Sequence, residues 1–281
     1  MKRIKQLCGA MLLLIASVAC EKGDYVKPFR EFVEVSFDAN KTALRDNGEA
    51  IYIAARYNGY PIEWSPGGDG KIKVVEGEGR FEFYDTRNDR IVADTLIDVI
   101  PGAEQVFYLF QPTLESPVTF IDPVNAQAGE EAAPEGYIKL KVANYAQDVI
   151  PFSQTDVKVI VLYYDENWNE IRADVGVIEN VAKAVEEASY VLLPDGVPDG
   201  VTDYQYIFEF IDGVTGQPLL NYGGTDYWTT TGFTPMYMDP LPMKNVFTLY
   251  FVTQKGWGEA PHFIKNGDDF YEIQSKVLYA D

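Results

Sequence analysis

Short runs of β-branched and aromatic residues, separated by turn sequences, begin at Phe32 and continue to the end of the chain, and they constrain the fold more than any other feature. Lys71–Val75 and Arg80–Tyr84 alternate polar and apolar side chains with a period of two, which turns one set toward a core and the other toward water. Asn58-Gly59 and Pro101-Gly102 are turn sequences that follow two such runs. We therefore predict an all-β chain that folds as a β-sandwich.

One segment interrupts this pattern and predicts a boundary between two domains. Residues 125–135 contain no β-branched or aromatic side chain and have the composition of a linker. We predict a first β-sandwich domain over residues 29–123, a linker over 124–133 and a second β-sandwich domain over 134–281.

The second domain repeats parts of the first. Phe81–Asp85 reappears as Phe208–Asp212, and Val106–Gln111 matches Phe247–Val252 as a closing strand. These matches indicate an internal duplication, although short similarities also arise by chance between β-rich segments. Between the matched points the second copy carries an insertion, Leu219–Lys244, for which the sequence of the first domain offers no counterpart.

Both units resemble a widespread family of exported β-sandwich repeats whose function is not established. The resemblance lies in a strand, a turn with glycine and an apolar closing strand, here from Asp94 through Pro101-Gly102 to Phe110 and from Tyr190 through Asp195-Gly196 to Asp212. It implies two tandem immunoglobulin-like or transthyretin-like β-sandwich domains, and it implies no catalytic residue.

The N-terminus has the three parts of a secretory signal peptide. Lys2, Arg3 and Lys5 precede the apolar run Met11–Ile15, and small residues follow up to position 19. This run is too short to span a bilayer, which takes about 20 residues. We predict a signal peptide over residues 1–19.

Cys20 follows these small residues directly, and the segment Ala16–Cys20 resembles the lipobox of bacterial lipoproteins, in which the cysteine is acylated. Ser17 departs from the leucine usual at its position, and the alternative is an ordinary secreted protein. Residues 20–28 then form a lipidated tether. Glu21 and Asp24 resemble the export signals of surface-exposed lipoproteins in glycan-scavenging Gram-negative bacteria. We predict a lipid-anchored outer-membrane protein exposed at the cell surface, with the periplasmic face as the alternative.

Charge and residue inventory exclude several functions. The formal net charge of −20 at pH 7 repels phosphate backbones, so no nucleic-acid partner is expected. His262 is the only histidine, and the two cysteines, Cys8 and Cys20, belong to the leader and the lipid site, which excludes a Cys/His zinc site. The chain contains no Gly-x-Ser-x-Gly motif and no phosphate-binding loop. We expect no enzymatic activity and no cofactor, although the 43 acidic residues are too many to test for a glycosidase pair.

Two acidic segments have some features of calcium sites. Asp165–Glu170 begins like an EF-hand loop but lacks the turn glycine, so it predicts a hairpin tip. Asp195, Asp199 and Asp203 are weak metal candidates, because Asp-Gly and Pro-Asp are equally ordinary turn sequences. No metal site is predicted.

Large aromatic residues beside glycines are the candidate ligand site. Trp228 and Trp257 would form an apolar floor, with Tyr227 and Tyr237 at the rim and Asp226 orienting polar groups, as in a ring platform for a sugar. Alternatively, these rings close the ends of a sandwich or pack the two domains together.

These observations favour a non-catalytic cell-surface lipoprotein that binds or helps to capture a nutrient glycan. The alternative is a structural, assembly or adhesion protein that contacts a protein partner through the loops of the second domain. If a ligand is bound, we expect the second domain to carry it, because added loops on a repeated scaffold commonly carry function.

Replacement of Cys20 tests the predicted anchor. Cys20→Ser removes the thiol that would be acylated, so the protein should move from the membrane fraction to the soluble fraction. Fractionation and incorporation of a labelled fatty acid measure this, and Cys8→Ser, within the leader, should leave both unchanged. Unaltered membrane association of Cys20→Ser would contradict the prediction.

Overall fold

The computed structural model describes residues 30–45, 52–64, 70–103, 105–121, 127, 129–150, 154–219, 231–238, 241–255, 264–266 and 269–281. Over these residues 58% of the chain is β-strand, arranged in four sheets, and 3% is helix. The helices in this part of the chain are too short to cross a bilayer. The predicted all-β fold is confirmed.

The first domain is a sandwich of two four-stranded sheets. One sheet has the order β4-β1-β7-β8 and the other β3-β2-β5-β6. Its core lies between them and is centred on Phe37, Phe81, Phe83 and Leu109. The strands are β1 (Phe32–Thr42), β2 (Ile53–Tyr57), β3 (Tyr60–Ile62), β4 (Lys71–Val75), β5 (Gly77–Asp85), β6 (Arg90–Val99), β7 (Gln105–Gln111) and β8 (Thr119–Ile121).

The second domain is a sandwich of a five-stranded and a four-stranded sheet, in the orders β12-β9-β15-β17-β16 and β11-β10-β13-β14. Short 3-10 helices lie at Val185–Glu187 and Pro235–Tyr237. The strands are β9 (Tyr137–Asn144), β10 (Thr155–Tyr164), β11 (Glu170–Ile178), β12 (Val191–Pro194), β13 (Tyr204–Asp212), β14 (Gly232–Phe233), β15 (Val246–Lys255), β16 (Ile264–Asn266) and β17 (Asp269–Ala280).

The local patterns behave as the sequence predicts. In β4, Ile72 and Val74 are buried and the flanking lysines are exposed, which is the expected alternation. Asn58 and Gly59 both have positive φ, 49° and 83°, and join Tyr57 to its partner Tyr60. Positive φ at both central residues is the conformation that an Asn-Gly hairpin turn adopts.

The two domains share one topology. In both, the first and seventh strands pair in parallel, β1 with β7 and β9 with β15, at equivalent positions in their sheets. The repeated segments lie on equivalent strands: Phe81–Asp85 ends β5 and Phe208–Asp212 ends β13, and the closing segments lie on β7 and β15. The internal repeat is therefore present at the level of topology.

The prediction that Leu219–Lys244 has no counterpart in the first domain is wrong for Gly232–Phe233, and residues 220–230 and 239–240 lie outside the described residues. This segment contains β14, which pairs with β13 as β6 pairs with β5. β14 has two residues where β6 has ten. β14 still supplies backbone hydrogen bonds to β13, as an edge strand does for its neighbour. The second domain therefore keeps this edge strand in a shortened form.

A third apolar cluster joins the two domains. Its centre is an edge-to-face arrangement of Phe110 from β7 with Tyr145 and Tyr250 from the second domain, with ring centroids 5.1 Å apart for Phe110–Tyr250 and 6.0 Å apart for Phe110–Tyr145. The cluster contains Phe110, Ala143, Val185, Tyr250, Val252 and Leu278, with Ile121, Tyr145 and Tyr279 packed against it. We call it the junction cluster.

Because of this cluster, β15 is buried on both faces. Every residue of Val246–Val252 is buried. Phe247, Leu249 and Phe251 belong to the core of the second domain, whereas Tyr250 and Val252 belong to the junction cluster. A strand covered on both faces carries a nearly continuous apolar run, which is what this segment shows.

The segment between the domains also packs against this sheet. Gln127 is buried and its Nε2 donates hydrogen bonds to Tyr190 Oη at 3.0 Å and to Thr248 Oγ1 at 3.2 Å. Tyr190 and Thr248 are hydrogen-bonded to each other at 2.8 Å. A buried amide with these partners holds the segment against the second domain.

Phe110→Ala tests the junction. Removing this ring leaves a cavity between the domains, and we expect a loss of about 3 kcal/mol in the free energy of unfolding. Denaturant unfolding measures it, and Phe32→Ala, whose side chain is 70% exposed, should change stability by less than about 0.5 kcal/mol. Equal midpoints for wild type and Phe110→Ala would show that the junction contributes little.

Candidate functional site

An open cleft of about 570 Å³ lies at the domain junction, beside the junction cluster. The first domain contributes Ala43 after β1 and the residues that follow β7, and the second contributes the loop after β9, the end of β15 and the start of β17. The lining residues are Ala43, Pro112, Thr113, Leu114, Glu115, Tyr145, Asp148, Val252, Thr253, Gln254 and Tyr271. We call it the junction cleft.

Asn144, the last residue of β9, shapes the wall of the cleft that the second domain provides. It is fully buried; its Oδ1 accepts a hydrogen bond from the N–H of Ala146 at 2.9 Å, and its Nδ2 donates to the carbonyl of Ile150 at 3.2 Å. One buried amide thereby satisfies backbone groups at both ends of the loop. The loop it holds presents Tyr145 and Asp148 to the cleft.

Tyr145 belongs to both the junction cluster and the cleft. Its hydroxyl accepts a hydrogen bond from the N–H of Val185 at 3.1 Å. Burial raises the pKa of this hydroxyl, and the charges of Glu186 and Glu187 raise it further, against the lowering effect of that hydrogen bond. The tyrosine is therefore neutral, and its fixed ring forms part of the wall.

Asp148 ties this loop to the end of β15. Its Oδ1 accepts a hydrogen bond from Thr253 Oγ1 at 2.7 Å, and its side chain is exposed. A carboxylate offers about four lone-pair positions, so acceptor capacity remains for a ligand.

A compact turn after β7 forms the wall that the first domain provides. The carbonyl of Thr113 accepts from the N–H of Ser116 at 3.1 Å, and the hydroxyls of these residues are 2.9 Å apart. The buried Gln111 stabilises the turn, since its Nε2 donates a hydrogen bond to the carbonyl of Ser116 at 3.0 Å. The turn presents Leu114 and the exposed Glu115 to the cleft.

Two lysines lie in the same junction. Lys41 of β1 crosses to the second domain, where its Nζ donates to the carbonyl of Val277 at 3.0 Å. Burial lowers the pKa of Lys41, against the raising effect of Asp38. Burial, and secondly the charge of Lys41, lowers the pKa of Lys276 to about 8. At neutral pH the junction therefore holds two partly desolvated positive charges.

The cleft can make hydrogen bonds and ring contacts. Among its described lining residues, Glu115 and Asp148 are the charged ones, and hydroxyl and amide groups come from Thr113, Thr253, Gln254 and Tyr271. The described lining contains no histidine, cysteine, serine or lysine. This arrangement suits a ligand that has both an apolar face and many hydroxyls.

Most of the residues that the sequence singled out lie outside the described part of the chain. Tyr237 is described: it ends the 3-10 helix Pro235–Tyr237 and is 74% exposed. Cys20, Asp226, Tyr227, Trp228, Trp257 and His262 lie outside the described residues, and their assignments stay predictions.

The acidic segments are turns. Asp165 Oδ1 accepts from the N–H groups of Asn167 and Asn169, both at 2.8 Å, which confirms the predicted hairpin tip. Asp195 Oδ1 accepts from the N–H of Val197 at 3.1 Å, and Asp199 and Asp203 are exposed. Across the described residues, no group of three His, Cys, Asp or Glu is placed to hold a metal ion.

The sequence alone does not predict the junction cleft. Tyr145, Asp148 and Glu115 belong to no motif, and their proximity depends on how the domains pack. One signal was available: Val246–Val252 is apolar at nearly every position, which predicts a strand covered on both faces. That pattern predicts a cover over the outer face of β15 without saying which segment provides it.

No protein-family model and no curated protein matches this chain. Among solved structures it is similar to an α-glucan-binding streptococcal virulence factor, at 12% identity and a TM-score of 0.22 over 78% of this chain and 93% of that one. It is similar to family 41 carbohydrate-binding modules from streptococcal virulence factors, which recognise α-glucan, at 11% identity and 0.21 over 78% and 92%. A candidate adhesin from Bacteroides ovatus matches at 10% identity and 0.22 over 89% and 96%. With TM-scores below 0.5, these similarities carry no argument about the ligand of this chain.

Lys276→Met tests the electrostatics of the junction. Because the pKa of Lys276 is about 8 in the folded protein and near 10.5 when the group is solvated, the folded state binds fewer protons between these values, and its stability rises with pH across this window. The variant should be more stable at neutral pH, by about 2 kcal/mol, and less dependent on pH.

Denaturant unfolding at neutral pH and above the upper pKa measures both effects. Lys73→Met is the control: this side chain is 70% exposed and its Nζ lies 3.5 Å from Glu34 Oε1, so the variant should lose less than about 1 kcal/mol and keep the pH dependence of wild type. A stability loss in Lys276→Met at neutral pH would contradict the desolvation argument.

Proposed function

We propose that this protein is a non-catalytic lipoprotein, anchored in the outer membrane through Cys20 and exposed at the cell surface, that captures a glycan in the junction cleft. The observation that carries the proposal is the lining of the cleft, in which the tyrosines Tyr145 and Tyr271 lie with the hydrogen-bonding groups of Asp148, Glu115 and Gln254. Ligand sites commonly combine apolar and aromatic walls with a few polar groups that fix orientation.

The setting of the two carboxyl groups supports binding rather than hydrolysis. A glycosidase needs one carboxyl group kept protonated, commonly by burial in apolar surroundings or by a second carboxylate. Glu115 and Asp148 are both exposed, and Asp148 accepts a hydrogen bond from the hydroxyl of Thr253. They are suited to orienting hydroxyl groups.

The expected affinity for a single sugar is low. A ring contact contributes on the order of 1 kcal/mol, taking aromatic pairs as a guide. Two tyrosines and a few exposed hydrogen bonds therefore bind a monosaccharide weakly, and useful affinity needs a chain that contacts both walls. An anchored protein that holds a polymer fits capture of a nutrient better than transport of a free sugar.

Exposed apolar side chains in the second domain support the second candidate, adhesion or assembly with a protein partner. Leu241 is 62% exposed and Met243 is 90% exposed, close in sequence to the exposed Tyr237. Apolar patches of this kind mark protein interfaces when they are contiguous. This candidate requires neither tyrosine of the cleft.

Affinity electrophoresis with a panel of polysaccharides measures binding and tests the site. Tyr271→Ala should weaken binding about fivefold, the equivalent of about 1 kcal/mol, because it removes one ring from the wall. Tyr60→Ala, at an exposed tyrosine of the first domain, is the matched control and should bind as wild type does.

Trp228→Ala and Trp257→Ala, assayed beside these variants, test the ring platform that the sequence predicts. Lost binding in the tryptophan variants with full binding in Tyr271→Ala would assign the ligand to that platform instead of the cleft. Absence of binding to every polysaccharide, with retained binding to a surface protein, would favour the second candidate.

A further inference from the structure

The charged residues that line the junction cleft have one sign, and the positive charges of Lys41 and Lys276 lie in the junction outside this lining. Glu115 stands on the wall of the first domain and Asp148 on the wall of the second, and the described lining residues include no lysine or arginine. Both carboxylates are exposed, and neither forms an ion pair with another described residue; Asp148 accepts a hydrogen bond from the hydroxyl of Thr253. A ligand that enters the cleft therefore meets negative charge from both domains.

Carboxylate, sulfate and phosphate groups of a ligand would be poorly matched to these walls. Such groups only accept hydrogen bonds, as do the carboxylates of Glu115 and Asp148, so neither the ligand group nor the carboxylate would provide a hydrogen-bond donor. Their charge would also be repelled, and like charges brought together across an interface cost several kcal/mol. The formal net charge of −20 adds a long-range repulsion.

Hydroxyl groups match the lining better than ammonium groups do. A hydroxyl donates to the carboxylates and also accepts from the amide of Gln254 and the hydroxyl of Tyr271. An ammonium group only donates, so it can bond to the oxygens of these side chains but makes no use of their N–H and O–H donors. The apolar surfaces of Leu114 and Val252 in the same lining favour ligand faces made of C–H groups.

From this lining, and resting on the proposed function, we infer that the junction cleft takes an uncharged, hydroxyl-rich glycan and rejects anionic glycans. The two carboxylates, one from each domain, set this selectivity, and the tyrosine rings supply the contact area. Selectivity and binding are thus assigned to different side chains of one site, so they can be altered separately.

The mature full-length protein is tested against uncharged polysaccharides (amylose, dextran, mannan and galactan), anionic ones (dextran sulfate and polygalacturonate) and the cationic chitosan. An uncharged polymer should bind at least about tenfold more tightly than the sulfated or carboxymethylated derivative of the same polymer. This difference should shrink as the ionic strength rises from about 0.01 M to about 1 M, where the screening length falls from about 30 Å to about 3 Å.

The double variant Glu115→Gln/Asp148→Asn removes both charges and keeps the size of the side chains. It should bind the anionic derivative about tenfold better relative to the uncharged polymer than wild type does. Glu78→Gln/Glu166→Gln removes two exposed carboxylates, one in each domain and both outside the cleft, and should keep the selectivity of wild type. If the first double variant does not fold, Glu115→Gln alone should show a smaller shift in the same direction.

The outcomes separate this inference from the proposed function. Tight binding of an anionic glycan or of chitosan, lost in Tyr271→Ala, would overturn the selectivity and leave glycan capture in place. The inferred selectivity would also be overturned if the cleft and control double variants gained equally in relative binding of the anionic derivative. The selectivity would then depend on the overall charge of the protein. Absence of binding to every polymer of the panel would overturn the proposed function and the inference together.

Discussion

The edge-to-face contact between Phe110 and Tyr250 is the interaction on which the arrangement of the molecule depends. It covers the outer face of β15, whose inner face already belongs to the core of the second domain. Each sandwich has its own core, so the outer faces of two sheets are the surfaces left to meet. Once they meet through large rings, rotation of one domain against the other would expose aromatic area to water.

The junction cleft follows from this contact. Its walls come from different domains, and each is a short turn held by a buried amide, Asn144 in the second domain and Gln111 in the first. Neither wall alone encloses a ligand. The junction thus adds a concave site whose lining comes from both sandwiches, and docking of the domains is a condition for its shape.

The repeat is the same in topology and different in detail. Aligning Val106–Gln111 with Phe247–Val252 letter by letter pairs Leu109 with Tyr250, yet Leu109 faces a core and Tyr250 faces the junction. A shift of one residue in a strand exchanges its two faces. The sequence similarity therefore identified the equivalent strands but not which of their side chains face the core. The edge strands differ as well, with β14 reduced to two residues where β6 has ten.

The sequence by itself determined the strands, the tight turns and the class of fold, because alternation in Lys71–Val75 or an Asn58-Gly59 turn depends on neighbours a few residues away. It also indicated that the outer face of β15 is covered, through the apolar run Val246–Val252. Only the tertiary structure decided what covers it, and therefore which polar groups share a cleft. Glu115 and Asp148 come together because two outer sheet faces pack through Phe110 and Tyr250, and no local pattern in the chain specifies a contact between residues so distant in sequence.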